Sequence, residues 1–139
     1  MRVTVAGVEL RSPVIAASGT FGYGVEFEEI VSLGKIGAFV TKGLSREPMA
    51  GNPAPRVIET AAGMMNAIGL QNMGVRAFVA EKLPKLRAIP GAVVIANVFG
   101  YTMEDCAEVI EVLHDAEGVA MYELNASCPN TSHGGMSFG

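Results

Sequence analysis

The sequence predicts a parallel α/β fold: roughly the first half of a (β/α)8 barrel, an N-terminal hairpin plus about four βα units, in one domain over residues 1–139. Three observations carry this. Strand-like apolar runs and segments of helical periodicity alternate along the chain. A polar residue stands at or just beyond the end of each main strand (Ser18, Lys42, Asn97 and Asn125), where a barrel enzyme builds its site. The turn after the first main strand, Ser18-Gly19-Thr20-Phe21-Gly22, lacks the GxGxxG fingerprint by which the rival open doubly wound sheet announces its ligand. A whole barrel takes about 250 residues, so 139 supply about half of one.

Taken in order, Val3-Thr4-Val5 and Val8-Glu9-Leu10 read as a hairpin turned by Ala6-Gly7. Val14-Ile15-Ala16-Ala17 is a buried-strand signal. Val25 to Leu33 suits a short helix stopped by Gly34, and Ala38 to Thr41 is the next strand. The loop from Ser45 to Pro55 holds Pro48, Pro53 and Pro55, and loops of this length in compact domains are usually functional or disordered. Arg56 to Met65 has room for two short extended pieces. Apolar residues at 75, 78, 79, 83 and 86 predict a helix from Val75 to Leu86. Val93 to Val98 is a strong strand with Asn97 set in its apolar run. Glu104 to Ala116 is a second helix with Thr102 as N-cap, and Met121 to Leu124 is a further strand.

Half of the residues are apolar, which excludes a disordered chain. The formal net charge is −4, and the basic residues are scattered except near Lys82 to Arg87, which reads as a solvated helix end. A nucleic-acid or anionic-membrane surface is therefore not expected. No apolar run reaches the length of a signal h-region or a membrane span. Cys106 and Cys128 read as free thiols of a cytosolic protein. With His114 and His133 they match no compact zinc spacing, and no metal site is expected.

Chemistry concentrates in the loop Asn125-Ala126-Ser127-Cys128-Pro129-Asn130-Thr131-Ser132-His133-Gly134-Gly135. A thiol has a reference pKa near 8.5, so modest tuning makes it a usable base. Asparagines carry both a donor and an acceptor, which suits the amide edges of a flat heterocycle. The bland alternative is a small core cysteine beside turn-forming asparagines. Asn66-Ala67-Ile68-Gly69-Leu70-Gln71-Asn72 adds a loop glycine whose neighbouring N–H groups can bind a carboxylate. Lys42 offers a positive charge beside an electron-rich cofactor, or is a solvated loop residue. Met64-Met65 reads as core or pocket wall, and His133 as part of a lid or as an exposed loop residue.

These segments together resemble the dihydroorotate dehydrogenases. The resemblance is carried by Ala17-Ser18-Gly19, Thr41-Lys42-Gly43, Gly51-Asn52-Pro53 with Pro55-Arg56, Asn66 to Asn72, Ile95-Ala96-Asn97-Val98, and Asn125 to Asn130, in the family's order along the whole chain. It implies a (β/α)8 barrel holding FMN on its rim and oxidising dihydroorotate to orotate in pyrimidine (UMP) synthesis. Cys128 would be the base that takes the C5 proton, while the C6 hydride passes to flavin N5. Serine stands there in membrane-bound members, so a cysteine resembles the soluble, cytoplasmic class 1. By the same resemblance Lys42 contacts flavin and substrate. Asn66, Ala67, Ile68, Gly69 and Leu70 hold substrate, with the amides of Gly69 and Leu70 near its carboxylate. Asn125 touches both molecules, Asn130 the substrate, and Ser18, Gly43 and Asn97 the flavin.

The words NAIGLQN and SCPNTSHGG resemble the NAD-linked (B-type) catalytic subunit more than the fumarate-linked one. That subclass implies an iron–sulfur/FAD electron-transfer subunit as partner, with a homodimer of catalytic subunits in a heterotetramer. The flavin phosphate in such barrels sits at the loops after strands seven and eight, which this chain does not supply. The 139-residue chain alone is therefore expected to be inactive, and to aggregate or dimerise. Two other functions fit the residues: a related flavin barrel acting on another dihydropyrimidine, and a non-catalytic fragment of such an enzyme.

Overall fold

The structure is a computed structural model and describes residues 1–126. Val3–Val5 (β1) and Val8–Leu10 (β2) pair as an antiparallel hairpin. Ala6 and Gly7 turn it with φ of 47° and 81°, the two positive values that a type I′ turn requires. Ile15–Ala16 (β3) and Ala38–Val40 (β4) follow, then a second hairpin of Val57–Thr60 (β5) and Gly63–Asn66 (β6). Next come two helices, Val75–Glu81 (α1) and Leu83–Arg87 (α2), and the strand Val94–Val98 (β7). The described part ends with the helix Met103–Ala116 (α3) and Met121–Leu124 (β8).

One parallel sheet organises the molecule, in the order β3-β4-β7-β8. Its two central strands, β4 and β7, are buried on both sides, which is why they read as apolar runs and not as alternating ones. Phe39, Ala96 and Val98 face the helices and pack with Val75, Phe78, Leu83, Leu86, Val109 and Leu113. Ala38, Val40 and Ile95 face the other way, with Val93 and Met121 beside them. The first hairpin closes that inner face from below through the fully buried Leu10. Parallel strands joined by helices, with a plugged concave inner face, are the architecture of a partial (β/α)8 barrel.

Four sequence expectations need correction. Val25 to Leu33 is not a helix: two 3-10 turns, Val25–Phe27 and Leu33–Lys35, stand in its place. Its apolar residues do not share a face, since Phe27 stacks on Phe21 at 4.6 Å while Ile30 is 80% exposed. So short a helix without an apolar stripe is not stable. Gly34 lies within the second turn and does not stop a helix. The stretch from Val75 to Leu86 is two helices, broken at Lys82 because Pro84 has no N–H to donate back into the first. Met64 and Met65 are not core: they are 69% and 58% exposed, on strands β5 and β6 that among the described residues pair only with each other. Nor is the Lys82–Arg87 region merely solvated: Lys82 Nζ lies 2.9 Å from Glu26 Oε1, and Arg87 donates to the Ala116 carbonyl.

The other elements stand where expected. Thr102 caps α3 by accepting from the Asp105 N–H at 3.1 Å, and the Asp105 carboxylate returns the bond to the Thr102 N–H. Cys106 packs into the core, and burial pushes its thiol pKa up, with a smaller contribution from Asp105. Among the described residues no helix is long and apolar enough to cross a membrane.

Candidate active site

Continuing the inner face of the sheet two residues past Val40, Ile95 and Met121 leads to Lys42, Asn97 and Glu123. The apolar layers thus end in a polar one at the C-terminal rim, as the period-two alternation of a strand dictates. Above it lies a cavity of about 250 Å³. Ser18 and Gly19 line it from the end of β3, Lys42 and Gly43 from β4, Asn97 from β7, and Asn125 from just past β8. The fifth wall comes from Asn66 at the end of β6 and from Ile68, Gly69 and Leu70 after it. Residues more than a hundred positions apart are therefore gathered on one surface.

The walls at the ends of β4, β7 and β8 are fixed by hydrogen bonds of their backbones. Asn97 is 4% exposed, and its N–H donates to Thr41 Oγ1 at 3.2 Å. Its carbonyl accepts from the Leu44 N–H, and its Nδ2 donates to Glu123 Oε1 at 2.6 Å. The N–H of Lys42 donates to the Gly22 carbonyl at 2.6 Å, while its ammonium makes no ion pair among the described residues. The Asn125 N–H donates to Val98, which leaves its side-chain amide at the cavity. Gly43 keeps the floor clear, because a Cβ there would lie 3.0 Å from Asn97 Oδ1.

The loop from Asn66 to Leu70 is held from outside. Asn52 donates its N–H to the Ile68 carbonyl at 3.0 Å and its Nδ2 to the Ala67 carbonyl at 2.9 Å. Arg56 accepts from the Ala67 N–H through its carbonyl and binds Gln71 Oε1 through its guanidinium. Buried Asn72 ties the loop's far end, donating to the Leu70 carbonyl and accepting from the Gly74 N–H. Gly69 and Leu70 follow each other at φ of 73° and 55°. Their N–H groups bond to no described residue, and successive free amides in such a turn form an anion-binding concavity. A Cβ on Gly69 would meet Asn52 at 2.7 Å, so glycine is needed for space as well as for φ.

The structure thus joins Ser18, Lys42, Gly43, Asn66, Ile68, Gly69, Leu70, Asn97 and Asn125 on one cavity. Ala67 does not line it, and serves instead through its backbone. Cys128 and Asn130, like His133, lie outside the described residues. Sequence reasoning passed over Glu123, and it gave no site role to Asn52, Arg56 or Asn72. The signal for Glu123 was its place two residues past Met121 on a strand whose inner face continues that of β7.

Comparison with known proteins adds the following. A family model described as dihydroorotate dehydrogenase matches residues 1–139. A Solibacter usitatus protein, provisionally named a dihydroorotate dehydrogenase A (fumarate), is 62% identical over 138 residues. That match covers 99% of this chain and 45% of the relative. The dihydroorotate dehydrogenase B (NAD(+)) catalytic subunit of Geobacter sulfurreducens is 55% identical over 139 residues, covering 100% of this chain and 45% of the relative. The chain thus spans about half the length of these curated relatives. A crystal structure of DHODH in complex with ferulenol from Eimeria tenella matches with a TM-score of 0.74 at 20% identity. It covers 94% of this chain and 38% of that one, and at this identity it speaks to the fold alone.

Proposed function

The chain belongs to the dihydroorotate dehydrogenase family, and from that premise we propose that it is the N-terminal half of a single FMN-binding barrel domain oxidising dihydroorotate to orotate in pyrimidine synthesis. The observation that supports this most is the meeting of Lys42, Asn97 and Asn125 with the loop Asn66 to Leu70 on one cavity. A cation, three amides, a hydroxyl and a pair of free backbone N–H groups suit a planar, polar heterocycle lying against a carboxylated ring. A flavin fits this donor set, and Gly19 and Gly43 leave room for a flat group to approach the backbone. FMN would be held by Ser18, Lys42, Gly43, Asn97 and Asn125, and when bound it supplies an acceptor for the hydride leaving substrate C6.

The chain's own residues do the rest. The Gly69 and Leu70 amides receive the substrate carboxylate, and Asn66, Asn125 and Asn130 hold the ring amides. Lys42 places positive charge where negative charge develops. Cys128, as the thiolate, takes the C5 proton, and the two hydrogens lost leave the C5=C6 double bond of orotate. The NAD-linked type is our reading of the subclass, with electrons passed to NAD through an iron–sulfur/FAD subunit bound to a homodimer of catalytic subunits in the cytoplasm. The Geobacter sulfurreducens name supports it, whereas the Solibacter usitatus name points to fumarate.

The test is Cys128→Ala in a full-length barrel carrying this chain. We expect flavin content to be retained and turnover to fall about 10²- to 10⁴-fold, the usual contribution of a positioned base. Unchanged turnover removes the base role. Supplying fumarate, or NAD with the electron-transfer subunit, to the unsubstituted protein separates the two acceptors.

A further inference from the structure

The polar layer of the inner face contains an acid to which the proposed chemistry gives no role. Glu123 stands on β8 directly opposite Asn97 of β7, and its Oε1 accepts from Asn97 Nδ2 at 2.6 Å. In that bond the Glu123 oxygen is the acceptor and the Asn97 NH2 is the donor. The bond therefore decides which end of the Asn97 amide faces the cavity. With Nδ2 committed to Glu123, Oδ1 is turned toward Gly43, where a Cβ would approach it at 3.0 Å. The two ends of an amide have nearly the same shape, so packing alone does not fix a flip. Turned over, Asn97 would set its carbonyl against the carboxylate and aim its NH2 at the ligand. The backbone gives no other freedom, because the Asn97 N–H and carbonyl are both bound.

We propose that Glu123 is a positioning residue that holds Asn97 with its side-chain carbonyl toward the bound flavin, so that the site selects a group offering a hydrogen-bond donor at that point. This rests on the flavin reading above. Glu123 does not itself line the cavity, and it acts through the amide it orients.

The variants are Glu123→Leu, Glu123→Gln, Asn97→Asp and the exchanged pair Asn97→Asp with Glu123→Gln. They are made in a full-length barrel that joins this chain to the remainder of the Solibacter usitatus relative, and FMN dissociation constants are measured by fluorescence titration. Glu123→Leu should weaken FMN binding about tenfold, the worth of one oriented hydrogen bond. Glu123→Gln still accepts through its carbonyl and should stay within about threefold. Asn97→Asp sets two carboxylates against each other and should weaken binding at least about tenfold. The exchanged pair restores a donor and an acceptor and should recover most of that loss. Equal weakening by Glu123→Gln and Glu123→Leu, or an exchanged pair no better than Asn97→Asp, overturns the proposal. An unsubstituted barrel that takes up no flavin sinks the flavin reading instead. In that event the contact is read by itself, in the nitrogen-15 NMR spectrum of the same full-length barrel. The Asn97 side-chain amide should carry one proton shifted downfield that moves back in Glu123→Leu, and an unmoved signal overturns the contact as well.

Discussion

At the scale of single residues, the site depends on positions where one atom more cannot be accommodated. Gly69→Ala would put a methyl group 2.7 Å from Asn52 on a residue with φ of 73°. It should cost at least about 1 kcal/mol of stability and disturb the two free amides, which an orotate titration of a full-length barrel carrying this chain would read as weaker binding. Cys106 behaves in the opposite sense. It is 9% exposed, and burial, with Asp105, raises its pKa, so little thiolate forms near neutral pH. Iodoacetamide should modify Cys106 in the folded protein far more slowly than in denaturant, and equal rates would contradict its place in the core. The polar rim was legible from the sequence because each of Ser18, Lys42, Asn97 and Asn125 follows an apolar strand. Glu123 was not, because an acid in a short strand reads as solvent-facing until the register opposite Asn97 is known. Asn52 and Arg56 were visible as motif residues, but nothing in one dimension says that they grip the loop eleven to sixteen positions on.

At the scale of elements, local signals decided correctly where the element makes its own bonds. The capping box of α3 is such a case, and Thr102→Ala should lower stability by about 1 kcal/mol in thermal or urea denaturation. Phe78, fully buried between α1 and the sheet, is worth more: Phe78→Ala should cost about 3–5 kcal/mol. The segment from Val25 to Leu33 was misread because tertiary contacts settle it. Phe27 is taken by Phe21, and Glu26 by Lys82, whose ammonium also lies 5.8 Å from the centre of the Tyr23 ring. Burial works against charge on Glu26, yet the Lys82 bond and the N–H groups of Glu26 and Tyr23 outweigh it and hold its pKa below the usual value. A lowered folded pKa means stability that is present above the unfolded value and is lost as pH falls through the folded one. The pair faces solvent, so Glu26→Gln should cost only about 0.5 kcal/mol near pH 7. The difference from the parent should vanish as pH falls through the lowered folded pKa, below which the carboxyl is protonated in both states, and a constant difference on acidification would contradict the ion pair.

At the scale of the whole molecule, the outer edges of β3 and β8 have no partner strand among the described residues. Beside β8, Met103, Cys106, Ala107, Ile110, Leu124 and Ala126 line an apolar recess of about 340 Å³. Leu124 is 59% exposed and Met103 60%. A parallel sheet with open edges and uncovered apolar residues seeks a partner. The 139-residue chain by itself should therefore elute above monomer size in size-exclusion chromatography. A strictly monomeric chain would contradict that expectation. The half-barrel itself was legible from the alternation of elements and from the length, because βα order survives in one dimension. The exposure of the second hairpin's apolar residues was not, since they are the ones a core would use. The central claim is that the rim cavity belongs to a flavoenzyme acting on dihydroorotate. Its most direct test is the visible spectrum of a full-length barrel carrying this chain, recorded without oxygen before and after dihydroorotate is added. The account predicts flavin absorbance that bleaches on addition. Flavin that is present and stays oxidised would contradict the substrate assignment.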